Sequence, residues 1–327
     1  MTNPGRKPGV PGERGEEAFV AAPYHVPVLA AAVAAWAEGG RRAVDATVGG
    51  GGHAALLRAT GASLLAIDRD PEAVATARAR LGDDGVEYVT ASYAAPDTLA
   101  SVRAFRPDRI LLDLGVSWHQ LDAAARGFTF RQGASLDMRM TGGREPSAAD
   151  LLNTWPEARL AACFAEYGDE RRARALARAV IERRGRAPLA TSDDLVGAIR
   201  RALGPRAGPP DFARIFQAVR IAVNDELGGL SRALPALRDA LVPGGRLGVI
   251  SYHSGEDRAV KHAFRDWGRA CICPPRQPVC TCRGRALGRV LTRKGVTPPP
   301  DEIRVNPRAR SATFRAFEAF GEDTDDA

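Results

Sequence analysis

The chain has 327 residues, 45% hydrophobic and 26% charged, and no apolar run near the ~20 residues that span a bilayer, so it reads as soluble and globular, with room for one large domain or two smaller ones. Residues 1–17 are rich in proline, glycine and charge without an apolar segment, which excludes a secretory signal; five cysteines in such a chain fit a reducing, cytoplasmic compartment and exclude a disulfide framework. The net charge of +7 is almost all arginine and favours phosphate-rich partners, although a coding bias toward arginine explains it more simply when taken alone.

Met1–Ala22 reads as a poorly ordered extension, and Tyr24–Ala37 as a short amphipathic helix. A strand at about Arg42–Asp45 then runs into Ala46-Thr47-Val48-Gly49-Gly50-Gly51-Gly52-His53, and Ala54-Ala55-Leu56-Leu57 follows as helix. Glycines at such a turn let backbone approach a ligand, and the helix start offers unpaired N–H groups. A second strand, Ser63–Asp68, also ends in an acid, 23 positions after Asp45. That is close to the spacing at which a βαβ unit sets an acid against a ribose, so a nucleoside-containing cofactor is expected.

Asp70-Pro71-Glu72 caps a helix to about Leu81, Val86–Thr90 is a third strand, and Asp97–Phe105 is a helix. Arg109-Ile110-Leu111-Leu112-Asp113-Leu114-Gly115 is a fourth, buried strand, again ending in an acid. This alternation predicts an α/β fold with a parallel, doubly wound sheet. Ligands bind at the carboxyl ends of such strands, so Asp45, Asp68 and Asp113 are expected to line one crevice.

From about Leu121 to Pro210 the strands stop. Helical segments replace them at Ala148–Asn153, Pro156–Tyr167, Asp169–Arg184 and Ser192–Leu203. A helix from about Phe212 to Leu241, broken near Pro235, resumes the α/β rhythm. A strand at Arg246–Ser251, a helix at Glu256–Trp267 and strands near Arg289–Thr292 and Thr313–Phe317 complete it. The expected division is a disordered segment 1–22, a Rossmann-like domain from 23–120 and 211–320, an inserted helical domain 121–210, and an acidic tail 321–327.

Several strings, in order, resemble one family. They include Val44–His53, Ile67-Asp68-Arg69-Asp70-Pro71, Leu111-Leu112-Asp113-Leu114-Gly115-Val116-Ser117 and Leu136-Asp137-Met138-Arg139-Met140. Glu166-Tyr167-Gly168-Asp169-Glu170, Phe216–Leu227 and Asn306-Pro307-Arg308-Ala309-Arg310-Ser311 continue the series. Together they resemble the bacterial 16S ribosomal RNA (cytosine-N4)-methyltransferases from about Tyr24 to Phe317. The resemblance implies a class I, Rossmann-like methyltransferase with an inserted helical domain. It also implies S-adenosyl-L-methionine as cofactor and N4 of a cytidine in the decoding region of the small ribosomal subunit as target. The family's cofactor positions fall on Gly51, Gly52, His53, Asp68, Tyr93, Asp113 and Gln120. The chain departs from the family pattern at Gly50, usually Arg, at Trp118-His119, usually Ser-Pro, at Tyr252, usually Phe, and at Gly255, usually Leu.

Asp68 is the expected ribose ligand, since Asp70 better suits the helix cap; Tyr93 is expected beside the adenine. Asp113 is the catalytic candidate: cytosine N4 is a poor nucleophile because its lone pair is delocalised, and an acceptor near N4–H localises it. His253 is a second catalytic candidate, weighed evenly against a structural loop histidine. Gln120 would offer a donor and an acceptor at the rim. For RNA, Arg171, Arg174 and Arg178 fall on one face of the helix at Asp169–Arg184, and Arg308 and Arg310 form a second patch. The target base is expected to leave its stack.

Cys271-x-Cys273 and Cys280-x-Cys282 form two pairs, but C-x-C is less typical of zinc than C-x-x-C, so no metal is expected; Cys163 reads as core. The oligomeric state stays open, a homodimer included. The rivals are an amino-methyltransferase for DNA or another RNA, a catalytically idle RNA-binding assembly factor, and, more distantly, a dehydrogenase. Against the first, Asp113 lacks the Pro-Pro-aromatic step that follows in N4-type DNA enzymes; against the second, Asp68 and Asp113 are intact.

Overall fold

A computed structural model describes residues 27–116, 123–141, 143 and 145–321. Its centre is a seven-stranded sheet built from β1 (Arg42–Asp45), β2 (Ser63–Asp68), β3 (Val86–Thr90), β4 (Arg109–Asp113), β5 (Arg246–Ser251), β6 (Gly288–Val290) and β7 (Thr313–Ala319). The order is β3-β2-β1-β4-β5-β7-β6; β1 to β5 pair in parallel, and β7 is antiparallel to both its neighbours. Order reverses between β1 and β4, which opens a crevice at their carboxyl ends.

The inner strands are covered on both faces and so read as unbroken apolar runs. Leu65 and Ile67 of β2 face α4 (Pro96–Phe105), α10 (Glu226–Ala240) and α11 (Ser254–Trp267). Leu64 and Ala66 face the opposite layer, where α1 (Ala30–Ala37), α2 (Gly52–Arg58) and α3 (Pro71–Leu81) lie. Helix α3 starts as the sequence predicts: Pro71 occupies the first turn and Asp70 Oδ1 accepts the Glu72 N–H at 3.1 Å.

Between β4 and β5 stands a helical unit with its own apolar core: α5 (Ala148–Thr154), α6 (Glu157–Glu166), α7 (Ala173–Arg184), α8 (Ser192–Leu203) and α9 (Pro209–Asn224). Phe212, Ile215, Phe216 and Val219 of α9 are buried in that core, so the helical unit runs past the expected boundary at residue 210. The single helix expected over residues 212–241 is two helices. The break falls at Asp225, held in the left-handed region (φ 47°), while Pro235 sits inside α10. Helix α7 begins at Ala173 rather than Asp169, leaving Arg171 in the preceding turn.

A short helix α12 (Pro300–Val305) and a 3₁₀ turn (Pro307–Ser311) lead into β7. No helix among the described residues is long and apolar enough to cross a membrane. The expectations for residues 1–22 and for the tail beyond Gly321 lie outside the described residues, as do Ser117–Asp122.

In the middle of β5, a Cβ on Gly248 would stand 2.8 Å from the Phe314 ring and 3.0 Å from that of Trp36. Gly248→Ala is therefore expected to destabilise the fold by about 1–3 kcal/mol, the usual cost of overpacking. Urea unfolding checks this; an unchanged midpoint would contradict the packing described.

Candidate active site

The turn after β1 spends four of its amides on the protein itself. Thr47 N–H donates to Asp45 Oδ1 at 3.2 Å, Val48 N–H to the Ile67 carbonyl at 2.8 Å, Gly49 N–H to Asp68 Oδ2 at 2.9 Å and Gly51 N–H to the Val48 carbonyl at 2.8 Å. Those four are closed to a pyrophosphate, which takes free amides. The turn instead fixes Asp68, whose other oxygen accepts the Asp70 N–H at 2.9 Å. Burial pushes the Asp68 carboxyl upward in pKa, against the pull of these two amides.

Two adjoining cavities open at the carboxyl ends of the strands. Asp68, Ser92, Tyr93, Met140 and Leu230 line the first, and His53, Arg220, Arg310 and Ser311 line the second. Thr47, Gly49, Asp113, Gly115, Val116 and Tyr252 belong to both, so they form the floor where the cavities meet.

Asp113 is the centre of that floor. Its amide donates to Thr47 Oγ1 at 2.6 Å, its Oδ1 accepts the Tyr252 hydroxyl at 2.8 Å, and its Oδ2 lies 3.2 Å from His53 Nδ1. The His53 Nε2 in turn donates to the Val28 carbonyl at 2.8 Å. Burial lowers the His53 pKa, but the charge and hydrogen bond of Asp113, with the Val28 carbonyl and Asp45, outweigh it and raise the imidazole to about 9. His53 is then a cation with both ring nitrogens donating. Tyr252 is kept a neutral donor, its pKa raised well above the ordinary value by burial and then by Asp113. Gly115, at φ +106°, passes beneath the Tyr252 ring, where a Cβ would stand 3.3 Å from it.

Several expectations are corrected. Asp45 is not in the crevice: it is 1% exposed, its Oδ2 has no hydrogen-bond partner, and burial raises its pKa to about 7 against the opposing pull of His53. Gly51 does not border the first cavity; its Cβ direction meets Ala77 of α3 at 3.4 Å, so it serves helix packing, and of the glycines in the turn after β1 it is Gly49 that borders that cavity. Gly52 borders the second cavity, as does His53, which acts on Asp113.

His253, a catalytic candidate from the sequence, caps α11: its Nδ1 accepts the Glu256 N–H at 3.4 Å, and its Nε2 lies 3.2 Å from Glu256 Oε1 but out of line for a hydrogen bond. Its neighbour Tyr252 reaches Asp113 instead. Arg171 stands before α7, while exposed Arg174 and Arg178 remain on that helix; Arg178 lies 3.7 Å from Glu157. Arg310 lines the second cavity; Gln120 and the Arg308 side chain lie outside the described residues.

Three contributors were not singled out by the sequence. Arg220 faces the second cavity and makes a two-pronged pair with Glu226, at 2.9 Å on each prong, whose residue borders the first. Tyr252 is the second. Asn224 is the third: its Oδ1 accepts the Met140 N–H at 3.0 Å and its Nδ2 donates to the Met138 carbonyl at 2.8 Å, which holds Met140 over the first cavity.

A doubly wound sheet of this order, an acid fixed at the end of β2 by the turn after β1 and an acid at the end of β4 are the frame of a class I methyltransferase, dependent on S-adenosylmethionine. The chain belongs to the MraW methylase family, which it matches over residues 22–320. It is 57% identical over 298 residues to the ribosomal RNA small subunit methyltransferase H of Gemmatimonas aurantiaca, covering 90% of this chain and 95% of that protein. To the proteins of that name from Rubrobacter xylanophilus and Heliobacterium mobile it is 47% and 46% identical, covering 92% and 83% of this chain and 97% and 90% of theirs.

His53 and Asp45 both hold a proton more tightly folded than unfolded, so each contribution is full below its unfolded pKa, 6.5 or 3.8, and is lost as pH rises through about 9 or about 7. Stability should therefore fall as pH rises across that range. In His53→Gln the histidine's share of that fall, between about pH 6.5 and about 9, should be lost and only that of Asp45 should remain, read from urea midpoints at several pH values. The same slope in wild type and variant would remove His53 as a cation.

Proposed function

We propose that this enzyme transfers a methyl group to the exocyclic N4 of a cytidine in the decoding region of 16S ribosomal RNA, acting on the small subunit in the cytoplasm. The observation that carries this reading is the Asp113 carboxylate, fixed by Tyr252 and His53 at the junction of two cavities.

The first cavity suits S-adenosylmethionine: Asp68 keeps lone pairs for the ribose hydroxyls, and Tyr93 with Leu230 and Met140 offers an apolar bed for adenine. Bound there, that cofactor supplies an electrophilic methyl group on a sulfonium. Asp113 accepts a hydrogen bond from the target N4–H and so localises the amine's lone pair; no full general base is required, because the proton can leave after transfer. His53 and Tyr252 hold the acceptor in one orientation, so it need not reorganise as charge develops.

The second cavity suits a cytidine taken out of its stack, with Arg310 and Arg220 at its wall for nearby phosphate and base oxygens. Exposed Arg174 on α7 adds a sequence-independent phosphate contact farther out.

The test is methyl transfer from labelled S-adenosylmethionine to small subunits lacking native methylation, with nucleoside mapping. N4-methylcytidine at a single site is expected; label on another base or position contradicts the reading. Asp113→Asn, checked to be folded, should lower turnover by at least ~10²-fold, as for loss of one preorganised transition-state contact. Tyr252→Phe removes one donor where the family pattern carries Phe, so turnover should stay within about tenfold, the worth of a single hydrogen bond. Asp68→Ala should raise the dissociation constant for S-adenosylmethionine, read by calorimetry; unchanged affinity would remove Asp68 from the cofactor site.

A further inference from the structure

After α11 the chain leaves the sheet for residues 268–287 and returns as β6. The ends of this loop are pinned by the Leu287 N–H donating to the Trp267 carbonyl at 2.8 Å and the Phe320 N–H to the Leu287 carbonyl at 3.0 Å. Between these pins there is no helix or strand, and the apolar residues Ile272 and Val279 are 45% and 68% exposed. A segment of this length without a core of its own needs another constraint to hold one conformation.

The four cysteines of the loop supply one. Pro274–Val279 turns the two pairs face to face. Cys271 Sγ lies 3.8 Å from Cys280 and from Cys282, Cys280 lies 3.9 Å from Cys273 and 3.5 Å from Cys282, and all four sulfurs fall within 4.8 Å of one another. Such distances are far beyond a disulfide's ~2.05 Å. They match a tetrahedron of thiolates at ~2.3 Å from one zinc ion, whose corners are about 3.8 Å apart. They are also too close for an iron–sulfur cluster, whose four thiolates are divided among two or four iron atoms rather than gathered on one.

From this geometry we infer that Cys271, Cys273, Cys280 and Cys282 form a structural site for one zinc ion. The surroundings fit a four-thiolate zinc complex of net charge −2: residues 268–287 contain Arg269, Arg276, Arg283 and Arg285 and no acid. The Ile272 N–H donates to Cys282 Sγ at 3.4 Å, the kind of outer contact that orients a thiolate ligand. The sequence argued against metal from the C-x-C spacing. Spacing within each pair matters less here than the turn that folds one pair onto the other.

The site is structural because it is remote from the crevice. Helix α11 starts beside Tyr252 at the carboxyl end of β5 and runs 14 residues, roughly 20 Å at 1.5 Å per residue, before the loop begins. Zinc therefore stabilises the loop and the edge strand β6 without touching the reacting groups.

The test uses the full chain purified under reducing conditions without chelator. Metal analysis should find about one zinc per chain, and cobalt reconstitution should give the visible spectrum of a tetrathiolate site. Cys273→Ser and Cys280→Ser should lose the metal and open the loop to trypsin at Arg276 and Arg283, while binding of S-adenosylhomocysteine is kept. Iron in place of zinc, cysteine pairs found as disulfides, or four free thiols with no zinc and no cobalt spectrum would each overturn the inference. The cobalt measurement on the unaltered chain decides the matter even where a serine variant fails to fold.

Discussion

The arrangement of the catalytic end of the molecule depends on the Asp113 carboxylate being held from both sides. An acid at the end of a buried strand is costly unless its charge is met. Here His53 meets one oxygen and Tyr252 the other, from the first helix after the glycine turn and from the end of β5 respectively. That pairing sets what the neighbouring segments must do. Val28 has to lie against His53, Gly115 has to pass under Tyr252 without a side chain, and the Thr47 hydroxyl takes the Asp113 amide. The result is a fixed acceptor on the floor shared by two cavities.

The helical unit is tied to this floor through a small number of polar contacts. Asn224, the last residue of α9, holds the backbone of Met138 and Met140, and its own carbonyl accepts the Arg69 guanidinium at 3.0 Å. Arg126 pairs with Asp70 at 2.8 Å and with Glu72 at 3.0 Å at the start of α3. The inserted unit therefore engages the segment that follows β2, directly after Asp68. Elements bordering the two cavities share hydrogen bonds, and the Arg220–Glu226 pair spans the cavities in the same way.

Much of the sheet was legible because buried parallel strands appear as continuous apolar runs, and β1, β2, β3 and β5 begin and end where the sequence predicts. The acids closing β2 and β4 were legible for the same reason. What was not legible depends on contacts distant in sequence. The sequence offers His253 beside Tyr252 as a catalytic candidate, and only the fold shows that the phenol reaches Asp113 while the imidazole caps a helix. Asp45 matches Asp68 and Asp113 in position but not in exposure, because the turn folds over it. Proline drew the expected helix break to residue 235; the break at Asp225 follows from where α9 finishes packing on the helical core.

The central claim is that cofactor and cytidine occupy separate cavities and meet at Asp113. A crystal structure of the chain with S-adenosylhomocysteine and a short RNA carrying the target cytidine tests it most directly. The expected result has the ribose hydroxyls on Asp68, the extruded base in the cavity walled by Arg220 and Arg310, and its N4 within hydrogen-bond reach of Asp113. A base bound elsewhere, or a cofactor lying in the cavity of His53 and Arg310, would contradict it.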